Sequence, residues 1–345
     1  MTSALITGVG SGVAQSIIKA LRYASESLGR EYRILGTDTH AMAIGLYRVD
    51  KGFIVPECSN PEYIQHMSML CVREGVDVLI PGSDPEVLAL AQARDEVEAR
   101  TGAKVLVSPY HTVRIGHDKW ETYEFLRDNG FGYPETACVE NAWALAERVQ
   151  FPLIVKPRTG SGSVGVHRVA DSRELERILP GLDDRHILQE CLLPDDAEYT
   201  CGVVIGSGGD VIDSIAMWRE LKKGSTYRAQ VADEPVLLSE MERIACRLEV
   251  RGAINLQCRV TDSGPVVFEI NPRFSGTTAA RAVAGLNEPD ISIRDLLFCE
   301  RPSRARKRPI TMLRCLMEMY VLSDVVEEAR QRGVAERKGE FYSYF

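Results

Sequence analysis

The chain has 345 residues, of which 45% are apolar and 26% charged; this length suits two or three domains, and the composition supports a packed core and excludes disorder as the dominant state. Lys and Arg number 41 against 49 Asp and Glu, a formal charge of −8, which argues against a nucleic acid or an anionic membrane as partner but leaves room for a compact anion where cations cluster. No apolar run approaches the roughly 20 residues of a membrane span, and Met1 to Val9 lacks the basic and long apolar regions of a signal peptide, so the expected location is cytoplasmic.

Ala4 to Gly8 is a short apolar run closed by glycine and predicts a buried strand. Gly8, Gly10 and Gly12 predict a turn into an amphipathic helix over Val13 to Tyr23. Strands follow at Arg33 to Asp38, Gly52 to Pro56, Val76 to Pro81 and Lys104 to Ser108, with helices at Ile64 to Glu74 and Glu86 to Arg100. This alternation implies a Rossmann-like parallel α/β layer over residues 1–110.

The texture then changes. Asp118 and Glu121 have the spacing of a capping box and open a helix to Asn129, with Gly130 just past its end. Phe151 to Pro157 reads as a strand and Thr159 to Gly165 as a glycine- and serine-rich loop. Asp171 and Glu174 form a second capping box, opening a helix to Leu179. His186 to Glu190 and Glu198 to Ile205 read as strands, Arg219 to Tyr227 as a mobile polar loop, and Ser239 to Leu248 as a helix. Ile254 to Val260 and Val266 to Ile270 read as a hairpin. Strands dominate and crossover helices are few, so this part is expected to be α+β. The basic run Arg304 to Arg308 is open to two readings, a docking patch or a solvated linker. Met312 to Leu322 is expected to return to the core as a strand, followed by a helix at Asp324 to Arg332.

Several chemistries are excluded. The nine cysteines form no CxxC pair and are odd in number, so neither a zinc ribbon nor a disulfide scaffold is expected, and most should be reduced core residues. The six histidines show no metal-ligand spacing. Gly-Lys never occurs, which removes a Walker-A loop, and the absence of GxSxG removes a nucleophile elbow.

Four segments carry candidate chemistry. Gly8 to Gly12 lacks the third glycine of a dinucleotide fingerprint, because Val13 stands there, although Asp38 ends the second strand where a ribose-binding acid would sit. A tight strand-to-helix turn facing a ligand cleft is the better reading. In Glu269-Ile270-Asn271-Pro272-Arg273, residues i and i+2 share a strand face. Glu269 and Asn271 therefore offer oxygen ligands suited to Mg²⁺, with Phe268 and Ile270 on the opposite face. Gln257 falls opposite Glu269 if the hairpin loop is Asp262-Ser263-Gly264, whereas an even-length loop turns it away. Lys156 lies in an apolar strand and calls for an anion to meet it, unless it is an edge-strand lysine beside a flexible hairpin. Beyond it, glycines between Thr159 and Gly165 let backbone N–H groups approach phosphates. Finally, Leu188 to Leu192, with Glu198 downstream, suits an adenine pocket with a ribose-binding acid.

HDKWETYEFLRDNG, PLIVKPRTGSGSVGV, ILQECL with the later EYT, and INLQCRV with VVFEINPRFSGTT, in this order, resemble the ATP-grasp superfamily. The similarity is to ligases like the carbamoyl-phosphate-synthetase large subunit, over about residues 1–300 and as a single ATP-grasp unit. The resemblance implies a pre-ATP-grasp domain over 1–110 and a small subdomain with the glycine-rich loop over 111–190. It implies a large subdomain with the Mg²⁺ site over 191–300, and leaves 301–345 as an extension packing on the core. By resemblance, Lys119 and Lys156 hold the α- and β-phosphates, and Gly160, Ser161, Gly162, Ser163 and Gly165 form the flap over them. Glu190 and Leu192 match the adenine hinge and Glu198 the ribose acid. Gln257, Glu269 and Asn271 match the Mg²⁺ ligands, Arg273 the arginine at the transferred phosphoryl group, and Arg219 the lid region.

The implied activity is ATP- and Mg²⁺-dependent ligation, with Mn²⁺ as a substitute metal. A carboxylate becomes an acyl phosphate that an amine then attacks. Small carboxylates and amines, amino acids among them, are the expected partners, with no nucleic acid or membrane and a homodimer as the candidate assembly. The alternatives are acyl-phosphate or phosphoryl transfer without amide formation, and a non-catalytic nucleotide-binding subunit. Specificity is expected in Gly8 to Gly12, Ser83-Asp84, residues 219–228 and Ser275 to Thr278.

Overall fold

The computed structural model describes residues 1–340 other than Ser161 and Leu316. The first layer is built from β1 (Thr2–Ile6), α1 (Gly12–Leu28), β2 (Tyr32–Asp38), β3 (Lys51–Ile54), α2 (Tyr63–Glu74), β4 (Val78–Ile80), α3 (Asp84–Thr101) and β5 (Lys104–Val105). Its strands lie in the order β3-β2-β1-β4-β5, all parallel. Buried β1 residues Ala4 and Ile6 face α1, and Leu5 faces the α2–α3 side, the period-2 alternation of a strand covered on both faces. The Gly8 turn has φ +55. The Asp38 carboxylate accepts the Gly10 N–H at 2.7 Å, so this acid secures the turn. The Ser11 hydroxyl then caps α1 by accepting from Ala14 N.

Next come α4 (Tyr110–His117), α5 (Lys119–Asp128), β6 (Thr136–Cys138), α6 (Ala142–Val149), β7 (Leu153–Pro157), β8 (His167–Val169), α7 (Ser172–Ile178) and β9 (His186–Glu190). Four of them form an antiparallel sheet in the order β6-β9-β7-β8, with α6 and α7 on one face. Asp171 caps α7 through the Glu174 N–H at 2.9 Å. Asp118 caps α5 through Trp120 N–H at 2.8 Å. Glu121 does not reach back to complete the expected box, because its carboxylate meets Arg114 at 2.6 Å.

The largest sheet contains β10 (Glu198–Ile205), β11 (Val211–Lys222), β12 (Ser225–Ala232), β13 (Gly252–Thr261) and β14 (Gly264–Asn271), backed by α8 (Pro235–Arg247). Helices α9 (Thr278–Ala284) and α10 (Glu288–Phe298) follow and pack against α1. One apolar cluster runs from α1 through Leu286, Ile291 and Ile293 to Val204 and Ala253, so the first layer and the large sheet share a core.

Two expectations are corrected. Arg219 to Tyr227 is not a loop but the end of β11 and the start of β12, joined at Lys223-Gly224. The run Lys222-Lys223-Gly224-Ser225, which reads as loop, concealed this ladder. Met312 to Leu322 does not return to the core as one strand. β15 (Thr311–Leu313) pairs at the edge beside β12 and Tyr320 makes a separate antiparallel bridge with Glu340; Met319 and Val321 pack on the core, while Leu313, Met317 and Leu322 are exposed. The tail then forms α11 (Ser323–Arg332) and β16 (Val334–Ala335), which adds an antiparallel strand beside β3. The basic run is a largely exposed connection without helix or strand, tied down at three points. Lys307 pairs with Asp213 at 2.6 Å, Arg304 with Glu242 at 2.9 Å, and Arg308 donates to the Val283 carbonyl. Cys246, Cys299 and Cys315 are exposed and free rather than core residues.

Candidate active site

The hairpin β13–β14 aims the oxygen-rich side chains. Its loop is even: Thr261 pairs with Gly264 across Asp262-Ser263, the case expected to turn Gln257 away. A β-bulge restores the register. Cys258 pairs with Val267 but Gln257 pairs with Glu269, leaving Phe268 as the extra residue. Glu269 thereby faces the cleft opposite Gln257 instead of the core. Phe268 lines the same cavity as Glu269, which corrects its expected place on the opposite face. Glu269 Oε1 accepts from Gln257 Nε2 at 3.1 Å and from Asn271 Nδ2 at 2.8 Å.

Two lysines approach this cluster from the small sheet. Lys156 is 6% exposed, and its ammonium donates to Gln189 Oε1 at 2.7 Å. Gln189 is held in turn by Thr136 at 2.9 Å. Burial pulls the Lys156 pKa down to about 8, with the Glu269 charge opposing and the Lys119 charge adding. Lys119 opens α5 and donates to the Gly160 carbonyl at 2.9 Å. Burial lowers its pKa too, while Glu269, Asp118 and Asp84 raise it. Arg158 fixes Asp118 at 2.7 Å and its carbonyl accepts the Lys119 N–H at 2.9 Å, so the end of β7 positions the start of α5.

Lys119, Lys156, Gln189, Gln257 and Glu269 line a cavity of about 360 Å³ together with Gly160, Gly162, Ser163, Glu190, Leu192, Glu198, Arg219, Arg259 and Phe268. The loop takes left-handed backbone at Gly160, Gly162 and Gly165 and also at Ser163. Gly165 packs against Pro157 rather than facing the cavity, and Ser161 lies outside the described residues. The two residues expected at the adenine are already engaged: Leu192 O accepts from Arg259 Nη1 at 2.5 Å, and Glu190 accepts from Glu135 N–H at 3.1 Å. Glu198 is bound on both sides, by Arg219 at 2.6 Å and Arg259 at 3.3 Å. Arg219 also donates to Gln257 Oε1 at 2.5 Å.

Asn271 and Arg273 lie outside that cavity but line a small adjoining one that Glu269 shares. Arg273 pairs with Asp84 from α3. A third, polar cleft of about 360 Å³ brings together Ser11-Gly12, Ser83-Asp84, Arg219, Gly224 to Thr226 and Ser275 to Thr277. All four segments expected to set specificity therefore contribute to it, and Glu269 lines it as well. Sequence reasoning missed Arg259 and Arg314 in these walls, gave Gln189 no role of its own within Leu188 to Leu192, and placed Phe268 on the other face. Gln189 carried a signal, a lone amide in a buried strand. Arg314 carried none.

A family described as ATP-grasp in the biosynthetic pathway with Ter operon matches residues 184–317, and a PylC-like N-terminal domain matches residues 5–106. A carbamoyl-phosphate synthase of Methanobrevibacter smithii is 29% identical over 140 residues, covering 39% of this chain and 36% of that protein. The carbamoyl phosphate synthase large chain of Methanosarcina mazei is 24% identical, covering 79% of this chain and 28% of that protein. The chain thus spans about a third of the length of these relatives. N5-Carboxyaminoimidazole synthetase from Staphylococcus aureus, solved with ADP, superposes with a TM-score of 0.71 at 13% identity, over 90% of this chain and 81% of that one. The chain is thus similar to ATP-grasp proteins over residues 184–317, to PylC-like N-terminal domains over residues 5–106, and to the carbamoyl phosphate synthase large chain over most of its length.

Proposed function

We propose that the chain is an ATP-dependent ligase that activates a carboxylate as an acyl phosphate for attack by an amine. The observation that carries this is the position of Glu269. It lines the lysine-bearing cavity and the polar cleft at once, so a phosphoryl group held in the first would face a substrate held in the second. The names of the relatives and the ADP bound to the structural neighbour support the same reading.

The residues also fit a divalent cation. Among the described residues no three His, Cys, Asp or Glu side chains cluster to hold a metal alone. One carboxylate with two amide side chains at 2.8–3.1 Å suits Mg²⁺, which keeps waters and takes phosphate oxygens, and Mn²⁺ equally. Gln257, Glu269 and Asn271 would hold the ion, and it would supply charge neutralisation at the transferred phosphoryl group.

The remaining work falls to the chain itself. Lys156 and Lys119, which have no carboxylate ion-pair partner among the described residues, would meet phosphate oxygens, each contributing on the order of 3 kcal/mol to transition-state stabilisation. Arg273, steadied by Asp84, would face the phosphoryl group being moved, and Arg219 would border both ligands. The polar cleft would align the two substrates, worth roughly 7–11 kcal/mol. The Gly162–Gly224 contact would shield the acyl phosphate from water. The test is ADP and phosphate release with Mg·ATP across a panel of amino acids and small carboxylic acids, followed by detection of the amide. Glu269→Ala should lose nearly all turnover. Near-native turnover in that variant would remove the reading.

A further inference from the structure

Three arginines line the polar cleft. Two are neutralised in place, Arg219 by Glu198 and Arg273 by Asp84. Arg314 is not. Among the described residues its guanidinium has no acidic partner. Nη2 donates to the Gly276 carbonyl at 2.8 Å, and the backbone N–H is held by the Tyr227 carbonyl at 3.0 Å. The residue is exposed overall, and partial burial of the guanidinium draws its pKa below the usual arginine value. Lys19 on α1 is lowered as well, by burial first and then by the positive charges of Arg48 and Arg314.

The placement separates Arg314 from the reacting end. Glu269 lines all three cavities, and Arg273 lines two of them. Arg314 lines only the polar cleft. It is set by the chain just after β15, beside Ser275 to Thr277. A guanidinium presents five N–H donors in a fixed fork, and one of these nitrogens is committed to Gly276. The others can engage a planar or tetrahedral group of anionic oxygens.

We propose that Arg314 determines specificity by holding a second anionic group of the acid substrate, a carboxylate or a phosphate remote from the carboxylate that is activated. This rests on the ligase reading above. The substrate class is accordingly a small acid with at least two anionic groups, one at Glu269 and one at Arg314.

The test uses the full chain with matched probes: succinate against butyrate, and O-phosphoserine against serine. Binding is measured by calorimetry in the presence of Mg·ADP, and ADP release is measured with Mg·ATP. The wild type should bind at least one dianion at least tenfold more tightly than its matched partner. Arg314→Ala should lose that preference, and Arg314→Lys should keep part of it. Mg·ADP affinity reports folding, and Arg314→Gln replaces the alanine variant if that affinity is lost. No preference for either dianion in the wild type, or a preference retained in Arg314→Ala, overturns the assignment. Arg314-dependent binding with no ADP release from any probe upholds the assignment and removes the ligase reading. ADP release driven by butyrate or serine but not by the dianions does the reverse.

Discussion

Lys156→Met should make the unliganded protein more stable while removing its affinity for nucleotide. Lys156 is 6% exposed, with Gln189 as its hydrogen-bond partner at 2.7 Å. Burial draws its pKa from 10.5 to about 8, which corresponds to about 3 kcal/mol set against folding when the ammonium stays charged. The folded pKa lies below the unfolded one. The penalty is therefore full below pH 8 and fades as the pH rises from about 8 toward 10.5. Methionine removes the penalty but leaves the Gln189 oxygen without its donor, a loss of about 1 kcal/mol. The variant should thus be about 2 kcal/mol more stable at pH 7. The difference should close near about pH 10 and reverse above it. Denaturant midpoints of both unliganded proteins between pH 7 and 10.5 read the stability, and calorimetry with Mg·ADP at pH 7 reads the affinity, expected to fall more than about tenfold. A variant less stable than the wild type at pH 7, a gap that does not narrow with pH, or an unchanged affinity would refute the reasoning.

Three further outcomes follow from the same geometry. Chelating divalent ions should stop ADP release and added Mn²⁺ should restore it; turnover that persists in chelator would contradict the role given to Glu269, Gln257 and Asn271. Gly224 has φ +72, and a Cβ there would lie 2.1 Å from the Gly162 carbonyl, so Gly224→Ala should cut substrate-dependent ADP release about tenfold or more by holding the loop off β11–β12. Its melting temperature should change little, and full activity would show that this contact does not serve closure. Arg281 and Glu288 form an ion pair at 2.9 Å with both side chains fully buried, so Glu288→Ala should lower stability by about 3–5 kcal/mol, read from denaturant midpoints, with a loss under about 1 kcal/mol counting against it.

What could be read from the sequence tracks how local each signal is. Strand–helix alternation over the first hundred residues, the Asp118 and Asp171 caps and the strand holding Lys156 are local patterns, and the structure contains them. Glu269 and Asn271 were legible because Ile270 and Val267 supply apolar residues to the core on the same strand. The pairing with Gln257 was legible only as a choice between two registers. It depends on a bulge at Phe268, and a bulge leaves no compositional mark when the extra residue is itself apolar. The β11–β12 ladder escaped because Lys222-Lys223-Gly224-Ser225 reads as loop, although it is the tight turn of a hairpin. Arg259 and Arg314 could not have been found. Their roles depend on which distant element faces them: Leu192 and Glu198 for the first, Gly276 for the second.

The net charge of −8 takes its meaning from how the cations are paired. Around the cavity that holds Lys119 and Lys156, Arg219 and Arg259 face Glu198, Arg168 faces Asp195, and Arg158 faces Asp118. These guanidiniums are compensated before any ligand arrives, so they fix the positions of backbone and side chains more than they attract charge. Lys119 and Lys156 are treated differently. Among the described residues both are satisfied only by neutral oxygens, from Gly160, Arg158 and Gln189. Burial keeps both pKa values low, which stores a penalty that an incoming polyanion relieves. An overall acidic chain can in this way hold one compact polyanion tightly. The arginines around that cavity are paired with acids within the fold, and the positive charge left without a carboxylate partner there is that of two lysines, Lys156 buried and Lys119 half-buried, beside a single carboxylate, Glu269.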